Sequence, residues 1–580
     1  MYFLEKLKLD LAKAVNKSLN NNIVQGKDFE YPPENIGGDL ALPIFRFAKE
    51  LKQDPKEIAE IIRGTIKLKF IEKTEIKGAY VNFNLNRSLV SKEILSELHS
   101  QNIKNNYVDV GDGDRVMLEY VSPNTNKPLH LGHLRNAFLG ESLANIMDFC
   151  GYNVKRSALN NDRGIAICKS MLAYKLWGNG DTPRKSKLKS DHFVGKYYVM
   201  FDEKSKKDPK LNDKVLEMLQ KWENGDKPTL DLWRKMNKLA IGGYQKTYKR
   251  LGINFDKVYN ESDLYNDGKK IIEKSLKDGI FSKDNNGNIV AKLEDRCNLP
   301  DKVLLRGDGT AVYATTDLAL AKKRINEGYK KVFFVVGSEQ DLYFKQLFCI
   351  LNMLDFDNGQ KKLVKDLYFK HLSYGMVMLP EGKMKSREGT VVDADDLLDK
   401  IERLIKEEVK ARNDFMSEKE IDKRTSTISL AALKFYILNV VPKTTIQFNP
   451  KESISFTGKT GPYILYSYAR LHSIWRKGKD NTKLESLNFD LVKENEVWKI
   501  VFDIGKFPEY VLSALNELNP EDISSYAYSL SLKVSDFYHN VQVLDANLPE
   551  RRLRIAIIES LLDILKKSLA LLGIDTLEEM

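Results

Sequence analysis

Two histidines three residues apart, His130 and His133, flank Gly132 in the stretch "LHLGHLRN". Side chains at i and i+3 of a helix share a face, and imidazoles donate hydrogen bonds through their ring N–H groups. A helix start also presents backbone N–H groups without intrahelical partners and a positive dipole end. The chemistry on offer is phosphate binding: two imidazoles to hold the anion, Gly132 to let a flat base approach, and Lys127 as a mobile cation just upstream. A helix start with two incidental histidines is the competing reading, and the motif alone leaves both open.

A second basic stretch, "EGKMKSREG" (Glu381 to Gly389), sets Lys383, Lys385 and Arg387 between two glycines. Paired with the histidine helix it makes a two-sided phosphate clamp the better reading. Two familiar phosphate motifs fail. "GDGDRV" (Gly111 to Val116) lacks the third glycine of a dinucleotide fingerprint and precedes a strand instead of following one. "SISFTGKTG" (Ser453 to Gly461) has serine where a P-loop begins with glycine, and no strong strand before it.

The elements that must position these residues are legible from periodicity. "VMLEYV" (Val116 to Val121) has strand composition, the loop "SPNTNKP" follows, and apolar residues then recur at helical spacing until Gly151. "YNVKRSALNNDRG" supplies a second strand and loop. This β–α–β alternation predicts a parallel sheet that binds ligands at the carboxyl ends of its strands. A charged helical insertion is expected from about Pro183 to Tyr259. "KVLLRGDGTAVYATTDLALAKKR" reads as a hairpin closed at Asp308-Gly309 and then a helix, "KVFFVVGSEQ" as a buried strand. Upstream, "GGDLALPIFRFAKELKQ" reads as a loop entering an amphipathic helix and "GAYVNFNLN" as a strand. The link "QNIKNNYVDVGDGDR" marks a boundary, and helical periodicity dominates the last third. The expected division is an α+β block at 1–110, a Rossmann-type α/β catalytic unit at 111–420 with the insertion at about 183–260, and an all-α bundle at 421–580.

Composition fits an ordinary globular protein: 580 residues, 42% hydrophobic, 30% charged. The net charge of +11 favours a polyanionic partner. No run of eighteen apolar residues and no signal-peptide core occurs, so no membrane partner is expected. Cys150, Cys168, Cys297 and Cys349 are scattered without a CxxC pair and are expected to be reduced core thiols, not metal ligands or disulfides.

"HLGH" followed by a "KMKSR" loop resembles the class I aminoacyl-tRNA synthetases, and the surroundings resemble the arginyl-tRNA synthetases over nearly the whole chain. The resemblance rests on "GGDLALPIFRFAK", "SPNTNKPLHLGHLRN", "NNDRG", "DGTAVYATTDLALA", "VVGSEQDLYFKQLF", "TGKTGPYILYSYARLHSI" and "LLGIDTLEEM" in that order. It implies arginine activation by ATP, with Mg²⁺ arriving on the nucleotide, then transfer to the terminal adenosine of tRNA(Arg). It also implies a cytoplasmic monomer that needs tRNA for activation. Without clustered zinc-ligand cysteines or a long editing insertion, cysteine and leucine enzymes fit less well. Intact His130, Gly132 and His133 argue against a non-catalytic tRNA binder, and the long helical third against a simple nucleotidyltransferase.

Carried over residue by residue, the resemblance gives His130, Gly132 and His133 to the ATP phosphates and base, with Lys383, Met384, Lys385, Ser386 and Arg387 closing on the pyrophosphate. The family loop is usually Lys-Met-Ser-Lys-Ser; here Lys385 stands at the serine and Ser386 at the second lysine. Lys127 is the expected replacement for that lysine. Tyr313, expected at a strand end, and Asp317, expected in a first helical turn, match an arginine-binding pair. Glu119, Asn124 and Gln340 match further pocket positions. Glu119 lies in an apolar strand where an unpaired charge is costly, so it calls for a cation. Tyr463, Tyr466, Arg470, Tyr538 and Met580 match tRNA contacts, and the N-terminal block resembles the domain that grips the outer corner of tRNA. No residue is assigned to a metal.

Overall fold

The computed structural model describes residues 1–33, 35–99, 108–354, 368–378, 392–412, 416–480 and 482–580. Strands β1 (Leu40–Pro43), β2 (Ile71–Lys77) and β3 (Tyr80–Leu85) form an antiparallel sheet in the order β1-β3-β2. By sequence β1 reads as loop, because its four residues are too few to show alternation. Strands β4 (Arg115–Glu119), β5 (Asn153–Asn160) and β6 (Lys257–Asn260) belong to the central sheet. Strands β7 (Ser282–Lys283), β8 (Ile289–Ala291) and β9 (Lys302–Leu305) form a small antiparallel sheet, followed by β10 (Lys331–Gly337) and β11 (Tyr368–Tyr374). A two-stranded parallel pair, β12 (Val377–Met378) with β13 (Ile446–Gln447), completes the described strands.

The central sheet runs β11-β10-β4-β5-β6 and every neighbour is parallel. Apolar runs such as "RVMLE" and "KVFFVVG" are what a strand buried on both faces requires. Chain order reverses between β4 and β10, and the crevice at that switch is where such sheets bind ligands. Helices Leu131–Phe149 and Ile165–Trp177 follow β4 and β5. The insertion is helical from Pro183 to Leu251, then the chain returns to the sheet as β6. The expected insertion runs to about 260, past this return, since a four-residue strand behind a long charged helix leaves no periodic signal. Between residues 183 and 251 lie 18 Lys+Arg against 9 Asp+Glu, a net +9 of the chain's +11.

Helices Glu418–Leu438, Gly461–Gly478, Glu521–Asn540 and Leu548–Leu571 build the C-terminal bundle with shorter partners. The expected boundary at 420 falls in the first turn of Glu418–Leu438. Helix Leu131–Phe149 is buried on nearly all sides because the sheet covers one face and the bundle another. Ser142 donates to the Leu571 carbonyl at 2.9 Å and Asn145 to Ala570 at 3.2 Å. One continuous apolar core therefore runs from the N-terminal block through this helix into the bundle. A second core lies under β8–β10 and helices Tyr313–Asn326 and Asp341–Met353. At its edge Cys297, itself exposed, is disulfide-bonded to Cys349. That corrects the expectation of four reduced thiols: the partners are 52 residues apart, a pairing no local spacing reveals. Cys150 and Cys168 are free and buried. No described helix is long and apolar enough to cross a membrane.

Candidate active site

β4 ends in a strained turn. Val121 (φ 71°) and Ser122 (φ 35°) both adopt left-handed backbone, unusual for any L-residue and most costly for a β-branched valine, about 1–3 kcal/mol each. The surroundings hold it there. Val121 N–H donates to Asn136 Oδ1 at 2.6 Å, and Asn161 Nδ2 donates to the Ser122 carbonyl at 2.9 Å. Asn136 in turn donates to the Val335 carbonyl at 2.7 Å, tying β4 to β10 through the histidine helix.

His130 is the N-cap of that helix. Gly132 N–H donates to His130 Nδ1 at 3.2 Å, and His130 N–H donates to His133 Nδ1 at 3.1 Å. Both Nδ1 atoms are acceptors, so both protons sit on Nε2. Burial, then the Lys127 charge, pushes the His130 pKa down to about 4. Burial, then His130 and Lys127, holds His133 well below its ordinary value. The pair is neutral at pH 7, with ring centroids 3.8 Å apart. A Cβ on Gly132 would meet the His130 ring at 3.0–3.1 Å, so glycine keeps that ring in place.

The expectation of unpaired backbone donors in this turn is corrected. Leu131 N–H donates to the Val392 carbonyl at 2.9 Å, and His133 and Leu134 N–H groups to the His130 carbonyl. With Gly132 also engaged, the donors this turn can still offer a ligand are the imidazole Nε2–H groups. Val392, from far along the chain, is the partner no local pattern foretells.

Ala394 N–H also donates to the Leu129 carbonyl at 3.0 Å, so the chain re-enters beside the histidine turn. Lys383, Met384, Lys385, Ser386 and Arg387 lie outside the described residues. Lys127 and His130 line a cleft of about 770 Å³ with Lys187, Lys189, His192 and Asp393. Asp191, His192 and Asp395 come within 4.8 Å of one another. Their negative charge is met by Lys189, whose Nζ is 2.9 Å from Asp191 and 2.7 Å from Asp395.

The carboxyl ends of β4, β5 and β6 gather carboxylates. Glu119 closes β4, Asp162 follows β5 and Glu261 follows β6. Asp317 joins them from helix Tyr313–Asn326 and accepts the Tyr343 hydroxyl proton. Burial is the main force raising Asp317 to about 7; Glu119 adds to it, while Tyr343 and Arg324 oppose it. Burial likewise raises Glu261 to about 7, opposed by Arg163 and reinforced by Asp317 and Asp162. Burial raises both carboxyls toward neutrality even with Arg163 3.9 Å from Glu261, and perturbed carboxyls at strand ends mark a candidate functional site.

Tyr313 opens the helix and Asp317 sits in its second turn, not at a strand end and in a first turn as expected. Tyr313 is 65% exposed. Partial desolvation, then the Glu261 and Asp317 carboxylates, raises its hydroxyl pKa. Glu119 already has its cation: it is ion-paired to fully buried Arg324. The sequence leaves that partner to an arriving ligand, because Arg324 lies three turns along a helix whose register is invisible there. Asn124 and Gln340 are both exposed, after β4 and β10 respectively. Sequence reasoning misses Glu261 and Tyr343, since a carboxylate after a four-residue strand and a tyrosine in an amphipathic helix carry no local signature.

On the bundle, the Arg470 guanidinium lies 5.1 Å from the Tyr466 ring and 4.0 Å from the Tyr538 ring. Tyr466 and Tyr538 are 36% and 41% exposed. Met580 joins Tyr466 and Arg470 along one groove. Tyr463 instead turns toward Tyr528, at 5.9 Å between rings.

The family description "tRNA synthetases class I (R), catalytic domain" matches residues 93–449, "DALR anticodon binding domain" residues 464–580, and "Arginyl tRNA synthetase N terminal domain" residues 5–85. The chain is 39% identical to an arginine--tRNA ligase of Borrelia hermsii, covering 99% of this chain and 100% of that one. It is 42% identical to one of Treponema denticola over 91% of each. The solved arginyl-tRNA synthetase of Thermus thermophilus superposes with a TM-score of 0.82 at 24% identity, covering 100% of both chains.

Proposed function

The chain belongs to the class I arginyl-tRNA synthetases, and from that premise we propose how its residues carry out the reaction of an arginine--tRNA ligase. The carboxylate of arginine attacks the α-phosphorus of ATP and pyrophosphate leaves. The terminal adenosine hydroxyl of tRNA(Arg) then attacks the arginyl-adenylate carbonyl, and AMP leaves. No enzyme nucleophile takes part, so catalysis is positioning and charge stabilisation.

The carboxylates gathered at the carboxyl ends of β4, β5 and β6 carry this reading. Asp317, Glu261 and the Tyr313 hydroxyl take the guanidinium, which is planar, always charged and suited to forked acceptors. Glu119 supports them by neutralising Arg324. Asn124 and Gln340, at the ends of β4 and β10, stand where the α-amino and carboxylate groups enter. The His130 and His133 Nε2–H groups donate to the triphosphate, with Gly132 below the base. Lys127 lies close enough to depress both imidazoles, which supports its contact with the triphosphate. Lys383, Met384, Lys385, Ser386 and Arg387 complete the pyrophosphate side. Mg²⁺ travels on the nucleotide; the one three-donor cluster among the described residues is already satisfied by Lys189. The units 1–110, 111–420 and 421–580 act in tRNA docking, chemistry and anticodon binding, in a cytoplasmic monomer. ATP–pyrophosphate exchange with each amino acid, with and without tRNA, tests the assignment. Exchange with arginine and tRNA supports it; exchange with another amino acid overturns it.

The raised carboxyls make arginine binding pH-dependent. In the free enzyme Asp317 and Glu261 hold protons below about pH 7. A guanidinium favours their ionised forms, so binding lowers both pKa values and releases protons. Arginine affinity should rise with pH through 7 and level off above, weakening up to about tenfold per carboxyl for each unit below. Calorimetry in buffers of different ionisation enthalpy would show proton release at pH 6.5; no buffer dependence would refute the acidic pocket.

Tyr466, Arg470, Tyr538 and Met580 form the tRNA-facing surface, with Tyr463 as its inner support. Base–aromatic stacking is worth about 1–3 kcal/mol per base. Tyr538→Ala should therefore raise the KM for tRNA by roughly tenfold and leave the arginine KM unchanged; an unaltered tRNA KM would remove it from the surface.

A further inference from the structure

Arg135 lies one turn beyond His130 and is 0% exposed. A buried arginine ordinarily meets a carboxylate. Among the described residues Arg135 has none; both Nη groups donate to backbone carbonyls, while the buried Nε has no partner among the described residues. Nη1 donates to Gly375 at 2.8 Å and Met376 at 3.0 Å, and Nη2 to Pro442 at 2.8 Å. The guanidinium also lies 5.8 Å from the Tyr374 ring.

Those carbonyls belong to two segments that cross here. Gly375 N–H donates to the Pro442 carbonyl at 2.9 Å, Ile446 N–H to Met376 at 2.9 Å, and β12 then pairs with β13. A Cβ on Gly375 would stand 2.7 Å from the Lys443 and Thr444 carbonyl oxygens, so the crossing closes only on glycine. Asn136, the next residue, grips β4 and β10. The second turn of the histidine helix is thus bolted on one side to the sheet and on the other to this crossing.

We propose that Arg135 is a positioning residue for adenylate formation, its guanidinium setting where the His130/His133 turn stands relative to the β12–β13 crossing. The proposal rests on the reading of the two histidines as phosphate donors. A planar fork can bridge three carbonyls at fixed angles, whereas the lysine ammonium is a single point on a flexible stem. A displacement of about 1 Å in such a site costs on the order of 10²-fold in rate.

Arg135→Lys should lower kcat for ATP–pyrophosphate exchange, measured with tRNA present, by about 10²-fold and raise the ATP KM. The arginine KM should stay as in the parent protein. Gly375→Ala disturbs the same crossing from its opposite side and should give the same split, with the double variant no worse than the weaker single one. If either variant is unstable, Arg135→Ala assayed with added guanidinium ion replaces it, with recovery of kcat expected. Unchanged kcat, or kcat and arginine KM worsening together with no guanidinium recovery, overturns the proposal. His133→Ala separates the two levels: full activity there removes the phosphate reading itself. Its loss beside a normal Arg135→Lys removes only the role of Arg135.

Discussion

His133→Ala lowers the rate of arginyl-adenylate formation by about 10²–10³-fold, the usual cost of deleting a donor aimed at developing charge. The size follows from how few donors the turn has left. Its backbone N–H groups are spent on Val392, on His130 Nδ1 and on the His130 carbonyl, so no backbone donor of the turn can replace an imidazole. His133→Gln offers an amide N–H from a similar position and should retain more activity than alanine. Burial and Lys127 hold His130 neutral above about pH 4, so its titration imposes no fall in rate between pH 8 and 5. Single-turnover adenylate formation reads all three expectations. A His133→Ala rate within a few-fold of the parent would end the assignment.

Asp317→Asn raises the arginine KM by roughly two orders of magnitude, about 3 kcal/mol for one lost charge in a desolvated ion pair, and leaves the ATP KM nearly unchanged. The amide keeps the shape and can still accept from Tyr343, so the change isolates the charge. Citrulline, which replaces the guanidinium with a neutral urea, supplies the second readout. The parent protein should reject it strongly, and the Asp317→Asn variant much less. Equal shifts in both substrates' KM would place Asp317 outside the guanidinium pocket.

The histidine helix, β4, β5 and β10 are legible in the sequence because parallel strands need apolar runs and the loop between them carries the motif. Asp317 and Tyr313 are recoverable only through resemblance: an aspartate near a helix start reads equally well as dipole complementation. Glu261 and the Arg324 partner of Glu119 stay hidden, since a four-residue strand and a helix register three turns long decide where they point. Val392 as partner of the first helical turn, and the Cys297–Cys349 pairing, join segments too far apart in the chain for any local pattern to foretell.

The continuous core through helix Leu131–Phe149 has a consequence for how this protein changes over time. Its catalytic face carries the histidines and its back face, through Ser142 and Asn145, holds the last turn of the bundle. A different bundle grafted here would have to match the back of the histidine helix at Ser142 and Asn145. Loss of the bundle would strip apolar surface from that same helix. Bundle and catalytic sheet thus share one helix as a common wall.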